Sequence, residues 1–380
     1  MVTVRAYRDE DREDIDRLRR LVFRSSTGVL SGGWRGLVGE LDRETAGFLR
    51  IWDYRQFFGG VAVPTGGVAS VAVYPHARGR GVAGALLSES LRVMREAGQV
   101  IAALYPYVLP LYRRHGWEHV GTVEWATVPL VNLAATPRAP LPVRPATPAD
   151  LPDLHACYLR TAATVDGMLD RAEPGSDHAS VFGADLVTVA PGPEGLRGYL
   201  TADRPDDARL VVKDLVADDV EAAHVLLRQL ASWAGLLTEA EVRVFDAALL
   251  DHLVPGALTR GAEVHRFMLR VVDLPAAVAA RGWPAVAHMK PFSVDIEVTD
   301  PTAPWNTGRW RLGHDGSSAF CEPGGTGEVH LHARALGPWF AGSTTAHSLR
   351  RAGLLSGRPT AALLDALTGA PHPVRLSNTF

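Results

Sequence analysis

Two stretches of the chain repeat one pattern of apolar and polar positions. Val4-Arg5-Ala6-Tyr7 leads into the acidic run 9–16, and Val143-Arg144-Pro145-Ala146-Thr147 leads into Pro148-Ala149-Asp150-Leu151-Pro152-Asp153. Each reads as a short strand, a polar turn and a helix with acids in its first turn, where the helix dipole favours negative charge. Two related α/β units are therefore expected. Between them, residues 134–142 are rich in prolines, which remove backbone donors and favour extended chain, as in a linker. In the first unit, residues 48–54, 60–64 and 68–73 read as successive strands separated by glycine turns. A helix follows with Val82, Leu86, Leu87 and Leu91 on one face, then a strand over 100–104, a short helix over 109–115 and closing strands over 120–131. The second unit has a similar skeleton, with apolar runs at 186–190, 196–200 and 208–216, a helix over 220–234 and a further strand over 241–245.

After residues 267–272 the character changes. An alanine-rich helix over 274–281, strands over 294–298, 309–312 and 328–332, and helical segments over 345–353 and 360–367 describe a separate α+β domain of about 100 residues. Residues 371–380 contain two prolines and no period, and are expected to form an extended tail. The expected segments are 1–135, 141–270 and 271–380.

Composition narrows the class. With 380 residues, 47% of them apolar and 21% charged, the chain can bury a large core and is not a disordered tail. Lys and Arg number 39 against 42 Asp and Glu, a net charge of -3, so no whole-chain basic field exists for nucleic acid or an anionic membrane. The two cysteines, Cys157 and Cys321, have no CxxC neighbour, which argues against a disulfide scaffold or thiolate zinc site and fits a reducing cytoplasm. The N-terminus is charged from Arg5, unlike a signal peptide, and no run approaches the roughly 20 apolar residues of a membrane helix. The histidines are scattered; His330 and His332 alternate on one strand face without nearby partners, so no metal is expected.

Chemistry concentrates in Val71-Ala72-Val73-Tyr74-Pro75-His76-Ala77-Arg78-Gly79-Arg80-Gly81-Val82-Ala83-Gly84-Ala85-Leu86-Leu87. An apolar strand ends at a proline, a loop carries two arginines and two glycines, and an amphipathic helix begins at once. Free N–H groups at a glycine-rich helix start, with the positive dipole end behind them, suit phosphate oxygens. Glycines let a ligand approach the backbone, and Arg78 and Arg80 add charge. A bare RxxGxA also occurs in arginine-rich surface turns.

In its strand, proline and helix context this stretch resembles the acyl-CoA loop of the GNAT superfamily of N-acetyltransferases. The resemblance implies that Val71, Ala72, Val73 and Arg78, Gly79, Arg80, Gly81, Val82, Ala83 and Gly84 hold acetyl-CoA, with Tyr107 a further contact. Ala102-Ala103-Leu104 followed by Leu111-Tyr112-Arg113-Arg114-His115-Gly116-Trp117 resembles the family segment whose tyrosine faces the cofactor sulfur. A phenol of pKa about 10 can protonate a departing thiolate, which makes Tyr112 the candidate general acid; a packed helix tyrosine is the plainer reading.

One such unit, a second lacking RxxGxA, and the C-terminal α+β domain together resemble the Eis family almost end to end. Phe267-Met268-Leu269-Arg270-Val271-Val272-Asp273-Leu274-Pro275 is similar to that family's approach to its sterol-carrier-like third domain. The implied fold is α/β (α+β): two tandem GNAT-like mixed-sheet domains, the second not binding CoA, followed by a sterol-carrier-like domain whose tail reaches the active site. In Eis proteins the terminal phenylalanine supplies its α-carboxylate as general base, which maps to Phe380. Such a carboxylate, with pKa about 3.5, needs burial or a water relay to accept an ammonium proton.

The resemblance also implies a homo-oligomer, a hexamer in the family, and an acceptor that is a primary amine of a small molecule, aminoglycoside or lysine-like peptide. Phe23, Ser25 and Trp34 are the candidate acceptor contacts, with core packing an equal reading of Trp34. Aminoglycoside-acetylating relatives carry pocket acids, one after a phenylalanine in the first helix and one beside the C-terminus. Here Phe23 is followed by Arg24-Ser25-Ser26 and Phe380 is preceded by Thr379, which favours a smaller or less cationic amine. The alternative from another class is a non-catalytic acyl-CoA or lipid-binding sensor or carrier, separable by thermal shift with acetyl-CoA against fatty ligands.

Overall fold

The computed structural model describes residues 1–24, 33–172, 178–376 and 378. The first unit runs β1 (Val2–Ala6), α1 (Arg12–Phe23), β2 (Trp34–Leu41), β3 (Glu44–Phe58), β4 (Val61–Val73), α2 (Val82–Glu96), β5 (Ile101–Leu104), α3 (Leu109–Arg114) and β6 (Glu118–Pro129). The second runs β7 (Arg144–Pro145), α4 (Leu151–Ala162), β8 (Leu186–Gly192), β9 (Gly195–Asp203), β10 (Arg209–Ala217), α5 (Val220–Ala231), β11 (Glu239–Arg243), α6 (Ala247–Leu253) and β12 (Thr259–Val271). The third part comprises α7 (Leu274–Ala280), β13 (Phe292–Thr299), β14 (Gly308–His314), β15 (Ala319–Pro323), β16 (Val329–His332), α8 (Ala333–Phe340), α9 (Ala346–Arg351), β17 (Leu355–Gly357) and α10 (Ala362–Thr368).

The internal repeat has a physical basis. Arg5 on β1 makes two bonds of 2.7 Å to Asp11, whose carboxylate also accepts the Arg8 amide at 2.8 Å. Arg144 on β7 does the same to Asp150, at 2.8 and 2.7 Å, and Asp150 accepts the Thr147 amide at 2.7 Å. In both units a bidentate ion pair fixes the angle between the first strand and the first helix.

The two units do not close separately. Their strands join in one sheet of order β1-β2-β3-β4-β5-β12-β6-β11-β10-β9-β8-β7. Each unit therefore lends its last strand to the other: β12 lies between β5 and β6, and β6 bonds to both β12 and β11. The third part forms a second sheet, β15-β14-β13-β16-β17. Its apolar face continues into the main sheet's core through Phe58, Ile101, Phe267, Val294, Ile296, Trp339 and Phe340. Arg270 on β12, fully buried, pairs with the equally buried Asp300 at 2.5 Å and ties the parts together.

Several expected elements differ. The segments expected at 60–64 and 68–73 form one strand, β4, with Gly66 and Gly67 inside it. These glycines serve close packing rather than a turn: a Cβ at Gly66 would sit 2.1 Å from Met94 Sδ, and one at Gly67 2.4 Å from Tyr54. The closing strands over 120–131 are likewise a single strand, β6. Helix α8, absent from the sequence reading, contains Gly337 and Pro338; a Cβ at Gly337 would meet the Leu269 carbonyl at 2.7 Å, so glycine lets α8 lie against β12.

Candidate active site

Strands β4 and β5 pair in parallel only from Thr65↔Ile101 to Gly67↔Ala103, and β4 then continues alone to Val73. The parting is built by a bulge. Ala69 faces Arg50 and Ala72 faces Phe48 across β3, so two residues of β4 oppose Leu49, and Ser70 takes a left-handed φ of 52°. Bulges bend a strand and re-aim its groups, and a non-glycine residue in this region carries strain. Tyr74 donates its amide to Ala46 on β3, so strand alternation turns the neighbouring Val73 amide into the gap.

The gap opens onto the start of α2. Gly79 and Gly81 have φ of 76° and 87°, conformations that favour glycine, and a Cβ on either would meet nothing within 4 Å. No side chain caps α2, and its first turn closes with the Ala85 amide on the Gly81 carbonyl at 3.0 Å, leaving the earlier amides as free donors. Arg78 lies over the strand end, its Nε 3.3 Å from the Val73 carbonyl, and Arg80 pairs with Asp42 at 3.3 Å. Val71, Val73, Ala83 and Gly84 are half-buried, Ala72 and Val82 buried.

The second unit has the same parallel pair, β10 and β11, and a bulge between Val212 and Asp214. Its helix start is closed instead. Asp219 caps α5 by accepting the Ala222 amide at 3.0 Å, and Arg197 bonds to Asp219 and Glu221 at 2.7 and 2.8 Å. Two carboxylates thus stand at that helix N-terminus. The space between these elements is a cavity of about 50 Å³ lined by residues including Leu215, Leu227, Val242 and Phe245. That is little more than a water's share of volume.

Tyr112 on α3 is only 5% exposed, and burial pushes its phenol up to about 12. Among the described residues its hydroxyl has no hydrogen-bond partner. Tyr107 remains 84% exposed with its ring 5.8 Å from Phe23, so the structure joins an expected CoA contact to an expected acceptor contact. Trp34 lies 5.4 Å from Tyr7 and 6.4 Å from Phe48, in the cluster under α1 that also holds Ile15 and Leu18. Ser25, Thr379 and Phe380 lie outside the described residues.

The residues before the terminus are threaded between the two units. Val374 and Leu376 are buried; the Thr122 amide donates to the Val374 carbonyl and the Leu376 amide to the Thr122 carbonyl, both at 3.1 Å. Opposite, the Arg375 amide donates to the Asp166 carbonyl at 2.9 Å, and the Arg375 side chain reaches Thr122 at 2.8 Å and the Glu124 carboxylate. Gly121 and Gly167 form the walls: a Cβ there would lie 2.3 Å from the Val374 oxygen and 2.4 Å from the Arg375 oxygen. Further on, the Tyr105 hydroxyl donates to the Asn378 carbonyl at 2.6 Å and Arg171 Nε to the Asn378 side-chain oxygen at 3.3 Å.

His372 Nε2 bonds to Asp166 at 2.9 Å, and this bond raises the imidazole's pKa against the opposing effects of burial and of Arg281. A raised folded value means the pair's stabilisation is full below the unfolded pKa, about 6.5, and is lost as pH rises through the folded value. Release of C-terminal residues by carboxypeptidase is therefore expected to accelerate as pH rises through neutrality. A His372→Asn protein should show a flatter profile; the same slope in both would remove the pair from tail retention.

One feature of the β3 face under α1 was not singled out from the sequence. Along β3, Phe48, Arg50, Trp52 and Tyr54 share the face turned to α1, so a charged residue interrupts an apolar row; that interruption was the available signal. Arg50 lies over the Trp52 ring at 4.4 Å, and Trp52 stacks on Tyr54 at 6.0 Å.

The acetyltransferase (GNAT) domain family matches residues 3–120, and the sterol carrier protein domain family matches residues 274–375. An uncharacterized N-acetyltransferase of Streptomyces avermitilis is 31% identical over 336 residues, covering 81% of this chain and 79% of that protein. N-acetyltransferase Eis of Mycobacterium tuberculosis is 28% identical over 352 residues, 85% of this chain and 82% of Eis. The chain belongs to the Eis-like GNAT N-acetyltransferases. A GCN5-related N-acetyltransferase from Kribbella flavida shares its fold with TM-score 0.86 and 27% identity, over 100% of this chain and 98% of that one. This Eis-like protein is accordingly an acyltransferase rather than a non-catalytic carrier, with GNAT and sterol-carrier-like parts in one α/β architecture. Among the described residues no group of three or more His, Cys, Asp or Glu could hold a metal, and no helix is long and apolar enough to cross a membrane.

Proposed function

We propose that the chain transfers an acetyl group from acetyl-CoA to a primary amine by direct attack. The observation that carries this reading is the uncapped, glycine-led start of α2 at the mouth of the β4–β5 parting, with Tyr112, whose hydroxyl has no partner among the described residues, packed in the same cluster as Val82 and Leu86. The amides of residues 81–84, with Arg78 and Arg80, would bind the pyrophosphate oxygens, and residues 71–73 the pantetheine arm. The Val73 amide is aimed to polarise the thioester carbonyl. The amine loses its proton to the Phe380 α-carboxylate and attacks that carbonyl, while Tyr112 gives its proton to the departing thiolate. Threading of residues 374–376 and the Tyr105 bond to Asn378 support a terminus held at this side of the sheet. The second unit, with its acid-capped α5 and small apolar cavity, is assigned no CoA.

The test is CoA release from acetyl-CoA with a panel of monoamines, polyamines, peptides and aminoglycosides, comparing the intact protein with one lacking Phe380. Removal of that single residue is expected to cut turnover by about 10²-fold or more while acetyl-CoA binding persists. Equal turnover in both forms would dismiss the terminal carboxylate as the base.

A further inference from the structure

The acceptor side of β3 carries buried donors with nothing to receive them. Arg50 Nε is inaccessible and unbonded, and its Nη groups, also without a hydrogen-bond partner among the described residues, keep contact with solvent. The indole Nε1 of Trp52, over which Arg50 lies, is a second buried donor without an acceptor, and Arg19 Nε beneath α1 is a third. Arg19 is 8% exposed and meets Asp16, whose side chain is 42% exposed, at 3.7 Å, a loose pair. Among the described residues no carboxylate bonds to Arg50.

Burying a guanidinium without a carboxylate is costly, because lost hydration is not replaced. Burial and the nearby Arg19 charge bring Arg50 down to about 10, so it stays cationic at neutral pH. A core arginine kept for stability would have a partner, as Arg171, Arg243 and Arg270 do. Arg50 sits opposite Ala69, beside the bulge where β4 leaves β5. Tyr54 lies four residues further along the same face, and Tyr105, which holds Asn378, packs in the same apolar cluster as Tyr54.

We propose that Arg50, with Arg19 and the Trp52 indole, receives an anionic group of the acceptor, and that the amine this enzyme acetylates carries a carboxylate. This rests on the acetyl-transfer reading above. An amino acid spanning the face would place its carboxylate at Arg50 and its amine toward the thioester and the terminal base. Three buried donors without an acceptor among the described residues also disfavour a polycationic acceptor, whose ammonium groups would face Arg50 directly.

The experiment compares matched acceptors that differ only by the carboxylate: L-lysine with cadaverine, L-phenylalanine with phenethylamine, and β-alanine with ethylamine. Each is measured by CoA release and, separately, by calorimetric binding to the protein saturated with CoA. The carboxylated partner of at least one pair is expected to be favoured by roughly 10- to 100-fold, the worth of charge-assisted hydrogen bonds. Arg50→Gln should collapse that ratio, and Arg50→Lys should restore only part of it, since a point charge lacks the planar fork. Arg50→Gln should also melt no lower than wild type, because it removes a half-buried charge without a counter-charge among the described residues, and its midpoint should no longer rise with the carboxylated amine. CoA release without discrimination within any pair, or a ratio that survives Arg50→Gln, overturns the anion site and leaves acetyl transfer intact. Selective, Arg50-dependent binding without CoA release upholds the anion site and retires the transfer reading. Absence of both binding preference and turnover overturns both.

Discussion

Tyr112→Phe is expected to lower turnover by about 10²-fold while leaving acetyl-CoA affinity and the melting midpoint nearly unchanged. The substitution removes the hydroxyl oxygen of a buried ring, an oxygen with no partner among the described residues that keeps contact with solvent. No protein hydrogen bond among the described residues is lost with it and the ring stays packed, so its removal does not weaken the fold. On the proposed mechanism it removes the proton for the leaving thiolate. With the phenol pushed up to about 12 by burial, Tyr112 stays protonated far above neutral pH. The acid therefore imposes no fall in rate on the alkaline side below about pH 11, and any acidic limb reports the base instead. Turnover in the phenylalanine variant equal to wild type, by CoA release at saturating acceptor, would remove Tyr112 from the chemistry. A matching loss of acetyl-CoA affinity would recast it as a packing residue of the α3 segment.

The glycine-led helix start at 78–84 was legible in the sequence because its ingredients are contiguous. Phosphate recognition by backbone amides needs glycines and a helix start in direct succession, and a contiguous string of residues can announce both. The repeat was legible for a related reason, since Arg5 and Asp11, like Arg144 and Asp150, sit six residues apart and fix one strand-to-helix corner. The exchange of β6 and β12 was not legible. Both strands alternate well enough to pair with any neighbour, and nothing local states that the partner lies in the other unit. Gly66 and Gly67 misled for a physical reason as well: each is small because a neighbour presses on it, yet in sequence the pair reads as a turn. Arg50 is the converse case. Its side chain breaks the apolar row of β3 in plain view, but only the fold shows that no acid comes to meet it.

The strand exchange gives the second unit a part in holding the residues before the chain terminus. Its segment at Asp166 and Gly167 forms one wall of the slot for residues 374–376, and Arg171, in a left-handed conformation with φ 52°, reaches Asn378. Arg171 is held in turn by a buried carboxylate on β10. The first unit supplies the opposite wall from β6, a strand that the second unit's β11 and β12 complete. Loosening either unit therefore loosens the chain terminus.

Asp214→Asn should accordingly be the most destabilising single change in the second unit and should impair turnover from a distance. Asp214, 3% exposed, bonds to Arg171 through both oxygens at 2.6 and 2.9 Å, to Arg243 at 2.9 Å and to the Tyr199 hydroxyl at 3.0 Å. Burial opposes its ionisation, but the Arg171 and Arg243 charges outweigh that and hold its carboxyl well below the usual range. A depressed value means its contribution is present above the unfolded pKa of about 3.9 and is lost only as pH falls through the lower folded value. At neutral pH the amide leaves two guanidinium groups buried without a counter-charge, at a cost of about 3–5 kcal/mol. The melting midpoint should fall by several degrees, and carboxypeptidase should release C-terminal residues faster because Arg171 no longer has a fixed position. Adding Arg171→Met to Asp214→Asn should recover part of the midpoint, since one surplus charge is gone, yet leave the tail loose, since the bond to Asn378 is gone too. Recovery of both together would make the cluster a matter of charge balance alone. Recovery of the midpoint without the tail separates the two duties of Arg171, one to the core of the second unit and one to the end of the chain.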